Sequence, residues 1–278
     1  MRLSKNSIAS ILDKQRSNNP VIHYISDITK ASDFEEALKC FNGRCIVSYG
    51  IEEVHEITAN SDALVVGLGV LDNGKILAME RSLRIAKKRN VPVILDLREV
   101  NLSLYRRNTA LSFLNRFSID VVKGTEEEVQ SLIKSQKRHI SKYKDIKDEY
   151  RDFATKNNVF LIVNKDKYYI TDGYSEFYIG ESESNFRKKL NISDYYSAFL
   201  AQAISISDRR EERFASIIIS TLLISIAEEN LEKKIDSADY IDINSLRNCF
   251  FKQIYEINEE KIDVLGKIKF EFKSKKAV

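Results

Sequence analysis

The 278 residues carry 44 Lys and Arg against 41 Asp and Glu, a formal charge of +3, with 43% hydrophobic and 31% charged residues and a mean hydropathy of −0.31. That balance excludes a disordered chain and an integral membrane protein, and the small net charge excludes nucleic-acid binding by bulk electrostatics. Glycine is scarce, nine residues with only two prolines, roughly 3% against ~7% in average usage, and neither GxGxxG nor GxxxxGK[ST] occurs.

In chain order, Met1 to Asn19 is polar and lacks the apolar run of a signal peptide. Short runs rich in Val and Ile then alternate with segments of helical period. Cys45 to Ser48, Ala63 to Gly67, Val91 to Asp96, Ile119 to Lys123 and Phe160 to Val163 read as strands, and Phe34 to Phe41, Glu52 to Asn60, Ile76 to Arg89 and Asn108 to Arg116 as helices. Glu126 to Arg151 reads as a helix followed by a polar helix or linker, and its basic run Lys134 to Lys147 as a solvated face. Lys167 to Thr171, Asp172-Gly173 and Phe177 to Ile179 read as strand, turn, strand, which predicts antiparallel strands at one edge. After Asp194 the chain reads as mostly helical to Tyr255, with a terminal strand at Lys267 to Phe272. Ala215 to Ala227 is shorter than the ~20 residues of a bilayer span and reads as a buried core helix. Cys40, Cys45 and Cys249 match no metal spacing, so reduced thiols in a cytoplasmic protein are expected. No linker composition divides residues 1–278, and one α/β domain with a mostly parallel sheet is expected.

Ligands of open α/β sheets bind beyond the carboxyl ends of the strands. Asp96, Lys123-Gly124-Thr125 and Asn164 stand there. Asp96 either holds Mg²⁺ through water or, with Thr125, caps the segment that follows.

These segments resemble the hydroxyethylthiazole kinases, a family of the ribokinase-like superfamily. Asn19 to Asp27 is similar to N-P-L-V-H-x-I-T-N; Glu52-Glu53-Val54 with Ser61 to Leu71 to E-E-V…A-D-A-L-V-L-N-I-G-T-L; Val91 to Asp96 to V-P-V-V-L-D. Val122 to Glu128 is similar to I-R-G-N-x-x-E, and Tyr169 to Gly173 to Y-V-T-D-G. The resemblance implies a three-layer ribokinase-like fold and a homotrimer with active sites at subunit interfaces. It further implies ATP and Mg²⁺ as cosubstrates and phosphorylation of the primary alcohol of 4-methyl-5-(2-hydroxyethyl)thiazole. Charge and hydropathy, independently of the resemblance, lead us to expect no nucleic-acid or membrane partner.

The family motifs assign site residues, and several depart from pattern. Against D-P-V-G-x-G-A-T-x-F-R, Asp96 and Arg106 are kept and both glycines are lost. The resemblance makes Asp96 and Glu128 the metal-organising carboxylates, while Glu128 as a plain helix residue stands beside that reading. Arg106, Asn164, Lys188, Asn191 and Ser193 fall on the nucleotide side, with Lys165 beside Asn164 where the family has T-G. Asp194 takes the Cys position of K-V-T-G-x-G-C, and the wider superfamily has its aspartate base there; a helix-start residue is the alternative role. Asn191 tolerates a left-handed conformation, whereas Ser193 would cost roughly 1–2 kcal/mol if it had to adopt one. Asp27, Ser48 and Gly67 fall on the thiazole side and suggest a more polar or cationic ligand. His23 matches the family His and reads as structural. Three outcomes follow: an active kinase with Asp194 as base, a silent binder of a nucleotide or small molecule, or a bare trimer scaffold.

Overall fold

The structure is a computed structural model that describes residues 4–136, 145–180, 190–235, 242–265 and 268–272. Its nine-stranded sheet has the order β2-β1-β3-β4-β5-β6-β7-β8-β9. The parallel part comprises β1 Val21–Ile25, β2 Arg44–Val47, β3 Ala63–Gly67, β4 Val93–Asp96, β5 Val121–Thr125 and β6 Phe160–Asn164. The antiparallel edge comprises β7 Tyr168–Thr171, β8 Ser175–Ile179 and β9 Ile268–Phe272. The hairpin turn at Gly173, φ 94°, falls where the Asp-Gly pair predicts it.

Side chains alternate between the two faces, as strand geometry requires. Ile22, Tyr24, Ala63, Val65, Ile94, Val121, Phe160 and Ile162 enter one core, and Leu64, Val66, Val93, Leu95, Val122 and Leu161 the other. The first core is covered by α1 Lys5–Ser17, α2 Ala31–Lys39, α8 Ile192–Ser205, α9 Arg210–Ile235, α10 Ile243–Glu256 and α11 Glu259–Leu265. The second is covered by α3 Val54–Ala59, α4 Asn73–Arg89, α5 Leu104–Arg116, α6 Glu126–Gln136 and α7 Ile146–Asn157. These are the three expected layers. Three elements were not anticipated from the sequence: α1, whose Ile8, Ile11 and Leu12 bury one stripe, β1, the strand at the hinge of the sheet order, and the short helix α11 beyond Tyr255.

The apolar helix α9 meets the length and composition of a bilayer span, yet 89% of its most apolar window is packed inside the protein. It is a core helix, as its interrupting Ser216, Ser220, Thr221 and Ser225 suggest; each is buried.

Scarce glycine has a structural counterpart. Left-handed residues are commonly glycine, but here asparagine takes that conformation at Asn42, Asn90, Asn158 and Asn191, and Glu99 does so as well. Asn90 and Asn158 end α4 and α7, their backbone N–H groups closing the last turn.

Candidate active site at the carboxyl ends of the strands

Register aligns the site. Gly67 pairs with Asp96 and Asp96 with Lys123, so one residue from each of β3, β4 and β5 stands in a row, and Thr125 pairs with Asn164 two residues further along β5 and β6. Alternation from Ile94 and Val121 sends Asp96 and Lys123 to the face covered by α8. Both are buried, at 2% and 1% exposure.

One carboxylate oxygen organises the cluster. Asp96 Oδ2 accepts from Lys123 Nζ at 3.1 Å, Arg98 Nε at 3.1 Å and Ser197 Oγ at 2.8 Å. Lys123 Nζ also donates to the Ser193 carbonyl at 2.9 Å, to Ser193 Oγ at 3.0 Å and to Ser197 Oγ at 2.6 Å, fastening β5 to the first turn of α8. Burial pushes the Asp96 carboxyl up, but the Lys123 ammonium and Arg98 guanidinium overcome this and hold it below the usual carboxylate range.

Arg98 continues from Asp96 to Asp194, donating through Nη2 to Asp194 Oδ1. Asp194 is 4% exposed, and burial raises its pKa despite the Arg98 guanidinium beside it. Its Oδ2 accepts no hydrogen bond among the described residues. The stem of Arg98 lies over Gly67 and Gly69: a Cβ on either would stand 3.4 or 3.5 Å from Arg98 Cδ, and one on Gly67 would meet Ser26 Oγ at 2.0 Å. Tyr24 Oη and Ser26 Oγ are buried there without hydrogen-bond partners.

Helix α8 opens at Asn191, φ 52°, whose amide donates to Asp33 at 3.0 Å. The N–H of Asp194 is taken by the Asn191 carbonyl at 2.8 Å. Those of Ile192 and Ser193 have no partner among the described residues, as the first helical turn leaves them. Ser193 lies within the helix, so no left-handed strain arises at that position.

The loop after β4 turns at Glu99, φ 56°, where the family motif has glycine. Glu128 holds it: one oxygen accepts the Glu99 N–H, the other the Thr125 N–H at 2.8 Å, and Thr125 Oγ1 accepts the Glu128 N–H at 3.3 Å. The Thr125–Glu128 pair is a capping box extended to a neighbouring loop. Arg106 Nη1 pairs with Glu99 at 2.7 Å.

Of the expected residues, Asp96, Asn191, Ser193, Asp194 and Gly67 converge. Asn164 ends β6 with a buried, unpartnered Oδ1, and Lys165 pairs outward with Glu126 at 2.9 Å. Asp27 caps the short turn Ile28–Lys30 through Thr29, so the charge that reaches the site is that of Arg98 rather than Asp27. Ser48 gives its carbonyl to His23 at 3.0 Å; His23 Nδ1 lies 2.8 Å from Thr58, and burial lowers this imidazole to about 4. Lys188 lies outside the described residues, as do 237–240. Arg98, Ser197 and Tyr24 were given no site role from sequence, and Lys123 was named only within Lys123-Gly124-Thr125 at a strand end. Lys123 had a signal in its match to the Arg of I-R-G-N, whereas Arg98 had none beyond standing where the motif has an apolar residue.

A directly coordinated Mg²⁺ does not fit this carboxylate set. Two cations already neutralise Asp96, both Glu128 oxygens are taken by backbone N–H groups, and no group of three or more His, Cys, Asp or Glu side chains lies together among the described residues. Two open cavities, of about 730 Å³ beside Tyr150, Tyr169 and Tyr178 and about 600 Å³ beside Asp120 and Arg213, touch none of the clustered residues.

Comparison with known proteins gives a consistent picture. The model of the hydroxyethylthiazole kinase family matches residues 12–260. A hydroxyethylthiazole kinase of Thermoanaerobacter pseudethanolicus is 25% identical over 265 residues, covering 92% of this chain and 97% of its own length. One from Methanocorpusculum labreanum is 34% identical over 124 residues, 45% of this chain and 47% of that one. Among solved structures, the hydroxyethylthiazole kinase protein of Pyrococcus horikoshii OT3 superposes with a TM-score of 0.78 at 22% identity, covering 96% of this chain and 99% of the other. The pyridoxal kinase of Staphylococcus aureus in complex with ADP gives 0.57 at 13% identity, covering 77% and 89%.

Proposed function

Because the chain belongs to the hydroxyethylthiazole kinase family, we propose that it transfers a phosphoryl group from ATP to the primary alcohol of 4-methyl-5-(2-hydroxyethyl)thiazole or a related small alcohol, in thiamine salvage in the cytoplasm. The observation that carries the proposal is the start of α8. There a buried carboxylate with one oxygen, and two backbone N–H groups, that have no partner among the described residues share one corner of the fold with the buried Lys123 and the partly buried Arg98.

Phosphoryl transfer needs positioning, neutralisation of charge and a base at the acceptor hydroxyl. Asp194 Oδ2 is the group to take the hydroxyl proton. The Ile192 and Ser193 N–H groups, at the positive end of a 14-residue helix, suit the transferred phosphoryl oxygens. Lys123 supplies positive charge behind them. Asn164 stands at the nucleotide side, and Arg106 reaches a phosphate only by leaving Glu99. Magnesium, when present, belongs with the phosphates of the nucleotide, a habit of this ion; Asp96 and Glu128, the carboxylates the resemblance assigns to it, are already engaged.

We further propose a homotrimer with its sites at subunit interfaces. An apolar rim on the loops around the site supports it: Ile28, Tyr49, Val70, Leu102, Leu104 and Tyr105 are 43–71% exposed, an arrangement typical of an interaction surface.

The test is ADP release by purified protein with ATP, Mg²⁺ and the thiazole alcohol. Turnover that needs the alcohol and vanishes in Asp194→Asn supports the proposal. A second reading, a silent nucleotide binder, is favoured by one observation, that Arg98 already occupies both Asp96 and Asp194. A rise in melting temperature with ATP and no turnover with any small alcohol would select it.

A further inference from the structure

Three departures from the family motifs are one unit in space. The motifs place Asn at Gly67, Val at Arg98 and Cys at Asp194. Here the Arg98 stem passes over Gly67, and the Arg98 guanidinium spans from Asp96 to Asp194. A thiol at the head of α8 is neutral when protonated and needs no counter-ion. An aspartate with a side chain only 5% exposed does need one, because a buried charge left unpaired is strongly unfavourable.

The candidates for that counter-ion can be enumerated. Asp194 is faced by Arg98 from the loop after β4, by Lys123 from β5, by Asp96 from β4 and by Tyr24 from β1. Asp33 of α2, bonded to Asn191 and ion-paired with Arg247 of α10, adds a further carboxylate near the start of α8. Lys123 Nζ is committed to Asp96, Ser193 and Ser197. That leaves Arg98, which alone among these groups donates to the Asp194 carboxylate.

We infer that Arg98 is the positioning residue of Asp194: it anchors Oδ1, supplies the counter-charge, and leaves Oδ2 directed to an acceptor. The inference rests on the phosphotransferase reading for the meaning of that acceptor. Its rigidity comes from Asp96, because the same guanidinium is tied through Nε to a carboxylate that Lys123 and Ser197 hold in place. Asp194 is thereby referenced to the sheet rather than to the helix turn alone.

The test uses Arg98→Met, Arg98→Lys, Asp194→Asn and the double variant Arg98→Met/Asp194→Asn. In Arg98→Met, kcat is expected to fall at least tenfold with KM for the alcohol within about twofold, and Arg98→Lys to recover part of the loss. An unchanged or raised kcat would overturn the inference, since it would make Arg98 irrelevant to the base or a lock upon it. If the wild type turns over no alcohol, the phosphotransferase reading fails by itself, and thermal melting decides the present point without activity. Arg98→Met should then lower Tm by about 5 °C or more, and adding Asp194→Asn should restore most of that by removing the unpaired charge. Additive shifts in the double variant would refute the pairing.

Discussion

Lys123→Met removes the ammonium that joins β5 to α8 while keeping the length and apolar stem of the side chain. Lys123 is 1% exposed and makes four hydrogen bonds, to Asp96, twice to Ser193 and to Ser197. Removing one partner of a buried ion pair costs about 3–5 kcal/mol. Asp96 keeps Arg98 and Ser197 after the change, which places the expected cost near the lower end, about 3 kcal/mol. At ~2.1 cal/mol/K per residue, 278 residues give an unfolding entropy of roughly 0.6 kcal/mol/K, so Tm should fall by about 5 °C. Scanning calorimetry at pH 7 measures it, and Asp96→Asn added to Lys123→Met should regain more than half, because it removes the carboxylate left short of charge. A loss under 1 °C, or a double variant less stable than either single one, would refute the reasoning that the pair is mutually dependent.

Gly67→Ala would set a Cβ 2.0 Å from Ser26 Oγ and 2.7 Å from Ser26 Cβ; the forced shift should cost about 1–3 kcal/mol, read as a lower urea midpoint, and a neutral result would contradict the packing described. Glu99→Gly relieves a left-handed residue, φ 56°, worth ~1–2 kcal/mol, against loss of a largely exposed pair with Arg106 worth ~0–1 kcal/mol; a net gain in Tm is expected, and a fall would show that Glu99 matters through its charge. His23 should make stability depend on pH. Its folded pKa is lowered from 6.5 to about 4, so the unfolded chain binds the proton first, and stability is full above about 6.5 and lost as pH falls toward about 4, with a slope of up to ~1.4 kcal/mol per unit. Urea unfolding at pH 7 and pH 5 should therefore show a smaller difference in His23→Gln than in the wild type; equal differences would mean that His23 is not the group responsible.

The parallel sheet was legible because β3 to β6 are compact runs of Val and Ile whose alternation also foretells which side chains share a face. It was this alternation, from Ile94 and Val121, that carried Asp96 and Lys123 beneath α8. β1 was harder to see, since Val21–Ile25 contains His23 and Tyr24, whose polar atoms hide a strand that is wholly buried beyond its first residue. α5 begins at Leu104 rather than at Asn108 because Ser103 caps it, accepting the Arg106 N–H at 3.4 Å. Asn191 was readable as a tolerated left-handed residue, but the role of Arg98 was not. Its meaning depends on a stem laid over Gly67, on a different strand, and on a carboxylate 96 residues further along. Local pattern contains neither. Glu128 shows the same limit: a capping box is visible in Thr125 and Glu128, while its second oxygen on Glu99 is set by tertiary approach alone.

The last strand of the sheet, β9, pairs with β8 from Ser175↔Phe272 to Ile179↔Ile268 and lies beyond the 12–260 span matched by the family. It therefore works as a lid on hydrogen-bonding valence: five residues of β8 that would otherwise present a bare row of donors and acceptors are occupied from within the chain. β9 is itself the outermost strand, so a chain ending before it would move the open edge, the part of a sheet that templates pairing with other molecules, one strand inward to β8. Which residues form that edge is thus set at a border remote from Asp194, and a shortened protein that aggregates would be reporting on this border rather than on the chemistry of α8.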